Sequence, residues 1–150
     1  MQARLEPQKV APEAYRAMLG LQSYVNNSGL EPALQELVKL RASQINGCAY
    51  CIDMHTKDAR AAGESEQRLY ALSAWRETPF FTDRERAALA FTEAVTLLAD
   101  DHVPTEAYEA VARHFGEDEI AALVSLIVTI NAWNAIGVST RAWTPGSYEA

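Results

Sequence analysis

The sequence predicts an all-α protein, a single-domain helical bundle of about six to seven helices. Apolar residues recur at spacings of three and four along nearly the whole chain, which places them on one face of a helix. No stretch shows the strict apolar–polar alternation that is typical of a half-buried strand. The 150 residues, 49% of them hydrophobic, are enough for one buried core and too few for two ordinary domains.

Prolines and polar caps mark the starts of the predicted helices, and glycines or prolines follow their ends. Thr82, with Glu85 three residues later, is the clearest start because the pair forms a capping box. Asn46-Gly47 is suited to the left-handed conformation that closes a helix. Together these signals predict helices over residues 12–26, 32–46, 48–63, 65–77, 82–98, 104–115 and from 117 through the most apolar segment of the chain.

The two ends of the chain lack this periodicity. We expect a loose N-terminus to about residue 11 and a C-terminal tail over residues 143–150, which contains Pro145 and Gly146. Trp143 and Tyr148 are expected to pack this tail on the body of the protein or on a neighbouring subunit.

The net charge and the N-terminal residues argue against several kinds of partner and location. The formal net charge of −7 argues against nucleic acid and anionic membranes as partners, because phosphate binding needs clustered Lys and Arg. The first ten residues contain no apolar core of a signal peptide, and polar residues interrupt the longest apolar stretch. We therefore expect no membrane span and a cytoplasmic location. In such a reducing compartment, a lone CxxC pair is redox-active or metal-binding rather than a structural staple.

The candidate site is the spaced set Glu36-x11-Cys48-x2-Cys51-x3-His55. Positions three and four apart share a helix face, so both cysteines and the histidine line one side of the third predicted helix. Cys48 at the helix start faces unpaired N–H groups that favour a thiolate, whereas His55 lies one turn beyond Cys51 and can accept its proton. The residues alone leave open which thiol has the lower pKa. Glu36 reaches this face if the preceding helix returns antiparallel.

Such a pair suits peroxide chemistry. A thiol with a pKa of about 8.5 is only about 3% thiolate at pH 7, and a pKa of ~6.5 raises that fraction to roughly three quarters. A thiolate that attacks a peroxide becomes a sulfenic acid, which a second cysteine within reach converts to a disulfide. The CxxC spacing offers that second cysteine on the same helical turn.

Three other interpretations of the cysteines are weaker. Zinc would take Cys48, Cys51 and His55, but the sequence offers no fourth ligand at suitable spacing, so we expect no metal. A thioredoxin-type motif belongs at a strand–helix junction, and no strand is predicted. Simple inward packing would explain the CxxC alone, but it leaves Glu36 and His55 unexplained.

The four spaced residues resemble the signature of the alkylhydroperoxidase D-like proteins, within the carboxymuconolactone decarboxylase family. The similarity covers most of residues 12–142. It includes Leu40-Arg41-Ala42-Ser43, the region of Trp75, the helix start at Thr82-Asp83-Arg84-Glu85, and Asn131-Ala132-Trp133-Asn134. The resemblance implies an all-α fold, a homo-oligomer such as a trimer or hexamer, and reduction of small or alkyl hydroperoxides without a bound cofactor. A thiol reductant, such as a dihydrolipoyl or thioredoxin-like protein, would regenerate the cysteines.

The same resemblance implies roles for individual residues. Cys51 would be the peroxidatic sulfur, Cys48 its resolving partner, and Glu36 with His55 the proton relay. One position departs from the pattern, because Tyr50 stands where the best-studied type of member has a second relay histidine. A tyrosine with its ordinary pKa near 10 donates hydrogen bonds but is a poor base at neutral pH.

Two alternative functions remain. A lactone decarboxylase could move protons with Glu36 and His55 and would not need sulfur, so it leaves the CxxC without a role. A non-enzymatic redox-sensing module would change its assembly when the disulfide forms. Elsewhere in the sequence, Asn131 and Asn134 are expected to tie helices together through hydrogen bonds. Four aromatic residues could wall a substrate pocket, but packing in the core or at a subunit interface is the preferred expectation: Trp75, Phe80, Phe81 and Trp133.

Overall fold

The computed structural model describes residues 2–150, which form nine α-helices and one short 3-10 helix and contain no strand. This confirms the all-α prediction. The α-helices are α1 (Pro7–Val10), α2 (Pro12–Asn26), α3 (Pro32–Asn46), α4 (Ala49–Ala61), α5 (Glu66–Ala71), α6 (Asp83–Thr96), α7 (Leu98–Asp101), α8 (Thr105–Ala112) and α9 (Glu117–Thr140). The excess over the predicted six to seven comes from α1 and α7, each a single turn of four residues.

Helix α9 is the central element of the bundle. Its 24 residues pack against α2, α3 and α6, which explains why it is the most apolar segment. By length and composition alone α9 is also apolar enough to cross a membrane. In the bundle, however, Leu123, Leu126 and Ile127 on its inner face are completely or almost completely buried. Together with α3 and α6 they form the larger of two apolar clusters, and the second lies between α3, α6 and the 3-10 helix.

A tight turn between α3 and α4 positions the candidate site. Gly47 follows α3 in the left-handed conformation with φ of 66°, which a residue with a Cβ rarely adopts. The backbone N–H of Cys48 then donates to the carbonyl of Ser43 at 3.0 Å and closes the end of α3. Because the turn is this short, α3 and α4 pack along each other, and residues of α3 face the first turns of α4.

Buried amides connect α3 to α9 behind this turn. Asn134 is 1% exposed, donates to the Ser43 hydroxyl at 3.0 Å, and accepts from Asn46 at 3.0 Å. Asn46 also donates to Asn131 at 2.6 Å, and Asn131 donates to Thr96 on α6 at 3.2 Å. The expected role of these asparagines as ties between helices is thus present in the hydrogen bonds.

The region predicted as a fourth helix is broken. Helix α5 begins after Ser65, whose side chain accepts from the Arg68 N–H. It continues as a 3-10 helix, Leu72–Glu77, with non-helical dihedrals at Ala74. Beyond this kink Trp75 is buried, and its indole N–H donates to Glu93 on α6 at 2.9 Å. Helix α6 starts with the predicted capping box and ends at Thr96, two residues earlier than predicted.

Glu93 is the acceptor of a largely buried polar cluster. Its carboxylate accepts from Trp75, from the Arg41 Nε at 2.8 Å, and from Arg76. Burial alone would raise the pKa of Glu93, but the hydrogen bonds from Trp75, Arg76 and Arg41 outweigh it and hold the pKa below the ordinary value. Arg41 and Trp75 both lie in segments that resemble the family, and the cluster gives each of them a structural role as a donor to Glu93.

Replacing Glu93 with glutamine is expected to lower the free energy of unfolding at pH 7 by about 2 kcal/mol, because two arginines lose a charged acceptor. Because the folded pKa of Glu93 is lowered, its contribution is complete above the unfolded pKa and is lost as the pH falls through the lower folded value. The difference between the two proteins should therefore shrink below pH 4.5. Urea unfolding at pH 7 and again below pH 4.5 measures this difference in the free energy of unfolding. Glu109→Gln, on the exposed face of α8, is the matched control. A change as small as in that control would contradict the prediction.

Candidate active site

Both cysteines lie at the N-terminus of α4 and are joined by a disulfide bond. Cys48 is the N-cap residue, and its Sγ accepts from the Cys51 backbone N–H at 3.4 Å. Each cysteine is 2% exposed. The helix start therefore holds the sulfur atoms beside its unpaired N–H groups, in a setting that stabilises a thiolate when the disulfide is reduced.

Glu36 and His55 form a hydrogen-bonded pair across the α3–α4 contact. The His55 Nδ1 lies 2.9 Å from Glu36 Oε2, and the buried Lys39 donates to Glu36 Oε1 at 2.7 Å. The antiparallel return through the Gly47 turn thus brings Glu36 to the histidine, as the spacing required. Lys39 was not among the predicted site residues, although its position three residues after Glu36 is the spacing of a helical ion pair.

The ionised Glu36 carboxylate determines which ring nitrogen of neutral His55 carries the proton. Burial alone would raise the pKa of Glu36, but the hydrogen bond to His55 and the charge of Lys39 outweigh it and keep the pKa below its usual value. An ionised carboxylate only accepts hydrogen bonds, so in neutral His55 the proton resides on Nδ1. The other ring nitrogen, Nε2, is then the one that can take up a proton.

A cavity of about 440 Å³ opens beside these groups, and we call it the Cys51 cavity. Cys51, Glu36 and His55 line it together with Lys39, whereas Cys48 does not. Four aromatic residues form part of its walls: Tyr15, Tyr50, Trp133 and Trp143. A few polar groups converging on an apolar pocket of this size are typical of a small-molecule site.

Only one of the four aromatic residues considered from the sequence lines this cavity. Trp133 forms part of the wall and contacts Tyr15 edge-on, with ring centroids 5.4 Å apart. Trp75 and Phe81 are buried in the second apolar cluster, and Phe80 packs against it. Core packing is therefore the observed arrangement for these three residues.

Tyr50, which stands between the cysteines, packs against Trp143, with ring centroids 5.6 Å apart. Burial, followed by the effects of Tyr15 and Asp53, raises the pKa of the Tyr50 phenol above its ordinary value. The phenol therefore keeps its proton at neutral pH and can act as a hydrogen-bond donor but not as a base.

The C-terminal tail folds onto α4 of the same chain. The Tyr148 hydroxyl donates to Asp58 at 2.6 Å, and this hydrogen bond, with some burial, raises the pKa of Tyr148 to about 12. Lys57 donates to the Tyr148 carbonyl at 2.8 Å, and the Gly146 N–H donates to Asp53 at 3.1 Å. These contacts place Trp143 and Tyr148 on the body of the protein, one of the two arrangements expected from the sequence.

Glu36, His55 and Asp58 are the described residues that could together hold a metal ion, since their ligand atoms lie within 4.8 Å of one another. Their oxygens already have other partners. Lys39 bonds one oxygen of Glu36, His55 bonds the other, and Tyr148 bonds Asp58. A cation at this position would have to displace these donors.

The four residues predicted from the sequence lie close together at the α3–α4 contact, whereas the residues around them were not predicted. Asp58 lies three residues after His55, so helical spacing was an available signal for it. Tyr15 and Trp143 reach the cavity from opposite ends of the chain, and no local pattern indicates such long-range contacts.

The protein is therefore an all-α bundle with a cysteine pair at a helix start and a Glu–His pair beside it. Residues 12–94 match the model of the Carboxymuconolactone decarboxylase family, and the chain belongs to this family. The predicted resemblance is thereby confirmed.

Relatives at high identity support the same conclusion. The chain is 43% identical over 139 residues to the uncharacterized protein YdfG of Bacillus subtilis (strain 168). This alignment covers 93% of this chain and 95% of YdfG. It is 44% identical to ATU0492 of Agrobacterium tumefaciens, with a TM-score of 0.93. That match covers 96% of this chain and 99% of the ATU0492 chain. ATU0492 is a protein of unknown function with a suggested identity as the antioxidant defence protein AhpD.

The debrominase Bmp8 shares the fold. Its TM-score is 0.78 at 19% identity, and the match covers 90% of this chain and 73% of Bmp8. At this level of identity the similarity concerns the architecture alone.

Proposed function

We propose that the protein is a cysteine-based peroxidase, a thiol–disulfide oxidoreductase that reduces small or alkyl hydroperoxides. The observation that carries this proposal is that Cys51 and the Glu36–His55 pair line the same cavity. A sulfur, a histidine and a cavity of small-molecule size lie side by side, which supports this chemistry. Membership of the family and the name suggested for ATU0492 agree with an oxidoreductase of this kind.

In the proposed cycle Cys51 attacks the hydroperoxide. His55 Nε2 takes the thiol proton, and the Cys51 thiolate attacks the terminal oxygen of the O–O bond. That bond breaks, the sulfur becomes a sulfenic acid, and the leaving alkoxide takes the proton from His55 as an alcohol. Glu36 remains ionised and stabilises the charged histidine.

Cys48 completes the cycle as the resolving thiol. Its sulfur attacks the Cys51 sulfenic acid and expels hydroxide, which is protonated to water, and the disulfide forms. A dithiol reductant then returns two electrons and two protons to the cysteines, and we propose a dihydrolipoyl or thioredoxin-like protein for this role. The bond between Cys48 and Cys51 requires no large movement of α4, since both are held in its first turn.

We also propose a homo-oligomer, such as a trimer or hexamer. The support lies in large apolar side chains that a lone chain leaves in solvent near the end of α6 and along α9. Leu98 and Val128 are 55% and 48% exposed. Contacts between copies of the chain would bury such residues.

The family name suggests lactone decarboxylation as a second candidate, and the Glu36–His55 pair could transfer protons without sulfur. The fate of activity after removal of both cysteines separates the two functions. A decarboxylase would keep its activity on a carboxylactone in the Cys48→Ser/Cys51→Ser protein, whereas a peroxidase would not consume hydroperoxide.

The expected result is that the wild-type protein oxidises dithiothreitol in the presence of cumene or tert-butyl hydroperoxide, and that the doubly substituted protein does not exceed the uncatalysed rate. Hydroperoxide consumption and carboxylactone absorbance are followed in parallel. A blank peroxidase assay together with a change of oligomeric state on oxidation would instead favour a redox-sensing module.

A further inference from the structure

The two sulfur atoms of the disulfide face different cavities. Cys51 lines the cavity that contains Glu36 and His55. Cys48 lines a second cavity of about 240 Å³, between the start of α4, the end of α9 and the tail, which we call the Cys48 cavity. Neither cysteine lines the cavity of the other, so the two residues border different spaces.

Tyr50 and Trp143 divide the two cavities. Both residues line both cavities, and their rings pack against each other. Trp143 sits over Gly137, where a Cβ would lie 3.2 Å from its ring and 3.4 Å from Cys48 Sγ. The missing side chain at Gly137 thus lets both the indole and the sulfur pack against α9, and the tail contacts α4 nearby.

We propose, on the basis of the peroxidase function above, that the two substrates reach the disulfide through separate cavities. The hydroperoxide reacts with Cys51 in the Cys51 cavity, and a small dithiol attacks Cys48 through the Cys48 cavity. The attacking thiolate bonds to Cys48 Sγ, the disulfide breaks, and Cys51 leaves as a thiolate. The second thiol of the reductant then attacks the mixed disulfide at the reductant's own sulfur and releases Cys48, so the dithiol becomes a disulfide and supplies both electrons.

The chemistry of exchange agrees with this direction of attack. A thiolate attacks one sulfur while the other departs, so the attacked sulfur must border the space that the reductant occupies. Attack on Cys48 releases Cys51 beside His55, where the thiolate is ready for the next hydroperoxide. The lining of the Cys48 cavity is mainly apolar, with Ala49, Val138 and Pro145 on its walls, and so suits a dithiol with an apolar backbone.

The position of a thiol adduct tests the direction of attack. The oxidised protein is mixed briefly with 2-mercaptoethanol, quenched in acid and digested with pepsin, and fragment ions between Cys48 and Cys51 locate the adduct. We expect the mixed disulfide on Cys48 and the free thiol on Cys51. An adduct predominantly on Cys51 would overturn the proposal.

Matched substitutions test the separation of the cavities. Ala49→Trp fills the Cys48 cavity from an exposed position, and Leu19→Trp narrows the Cys51 cavity, whose lining includes Leu19. We expect Ala49→Trp to slow reduction of the disulfide by dithiothreitol about tenfold and to change oxidation by hydroperoxide less than twofold. Leu19→Trp should show the reverse. Val138→Trp serves as a second variant of the Cys48 cavity if the first does not fold.

Both half-reactions are measured separately by rapid mixing, so reduction by dithiothreitol is observed without any hydroperoxide. Failure of the peroxidase function would appear as absent oxidation by hydroperoxide in the wild-type protein, whatever the adduct position. If instead both kinds of variant slow the same half-reaction, or the two variants of the Cys48 cavity leave reduction unchanged, the separation of the cavities is wrong.

Discussion

Replacing Cys51 with serine is expected to lower hydroperoxide turnover by at least about a thousandfold, to the uncatalysed rate. A serine hydroxyl cannot be oxidised as a sulfur is, so the first covalent step is lost and not merely slowed. The remaining Cys48 lines the other cavity, away from Glu36 and His55, and cannot take over the reaction. Steady-state consumption of tert-butyl hydroperoxide with dithiothreitol measures the effect.

Cys48→Ser is the matched control for this prediction. It retains the peroxidatic sulfur and loses the resolving one, so one equivalent of hydroperoxide should produce a sulfenic acid on Cys51 that persists. Dimedone captures this species, and mass spectrometry assigns it to one cysteine. Dimedone labelling of Cys48 in the Cys51→Ser protein, with none in Cys48→Ser, would reverse the assignment of the two sulfurs.

The choice between the sulfurs illustrates what the sequence could and could not predict. Helical spacing was sufficient to place Cys51 and His55 beside the same cavity, because i, i+4 geometry is local. Cys48 is the N-cap of α4 and lines the other cavity, so the prediction of a single face for all three residues was wrong for Cys48. The predicted position of Cys48 at the helix start is also present, since its sulfur accepts from the Cys51 backbone N–H. The argument that favours Cys51 depends on which sulfur borders the cavity, and that follows from the packing of α2, α9 and the tail, residues far apart in the chain.

In the fold, too, the features that depend on neighbouring residues were predicted, and those that depend on tertiary contacts were not. The capping box at Thr82 and the glycine end at Gly47 are encoded by neighbouring residues, and the structure contains both. The kink at Ala74 was missed because it accompanies the burial of Trp75 against Glu93, a contact between residues 18 positions apart. Tertiary contacts of this kind override local helix propensity.

Replacing Glu36 with glutamine is expected to slow oxidation of the reduced protein by hydroperoxide about a hundredfold, the scale of a proton-transfer contribution. An amide no longer compels His55 to hold its proton on Nδ1, so Nε2 is not reserved as the base, and the charged histidine loses its counter-ion. Lys39 is also left buried without a carboxylate. Single-turnover rates of the two proteins give the effect directly, and a glutamine protein within twofold of wild type would contradict a relay through Glu36.

The acid side of the rate profile tests the same pair independently. Since the pKa of Glu36 lies below 4.5 in the folded protein, its carboxylate stays ionised until the pH falls through that lower value, and its contributions to rate and stability are lost there. Lys39→Met removes a charge that lowers this pKa, so the acid limb should move to higher pH. In Glu36→Gln the limb due to this carboxylate should vanish. Thermal unfolding measured from pH 8 down through the acid limb separates loss of rate from loss of fold, because only a relay role requires the rate to fall while the protein remains folded.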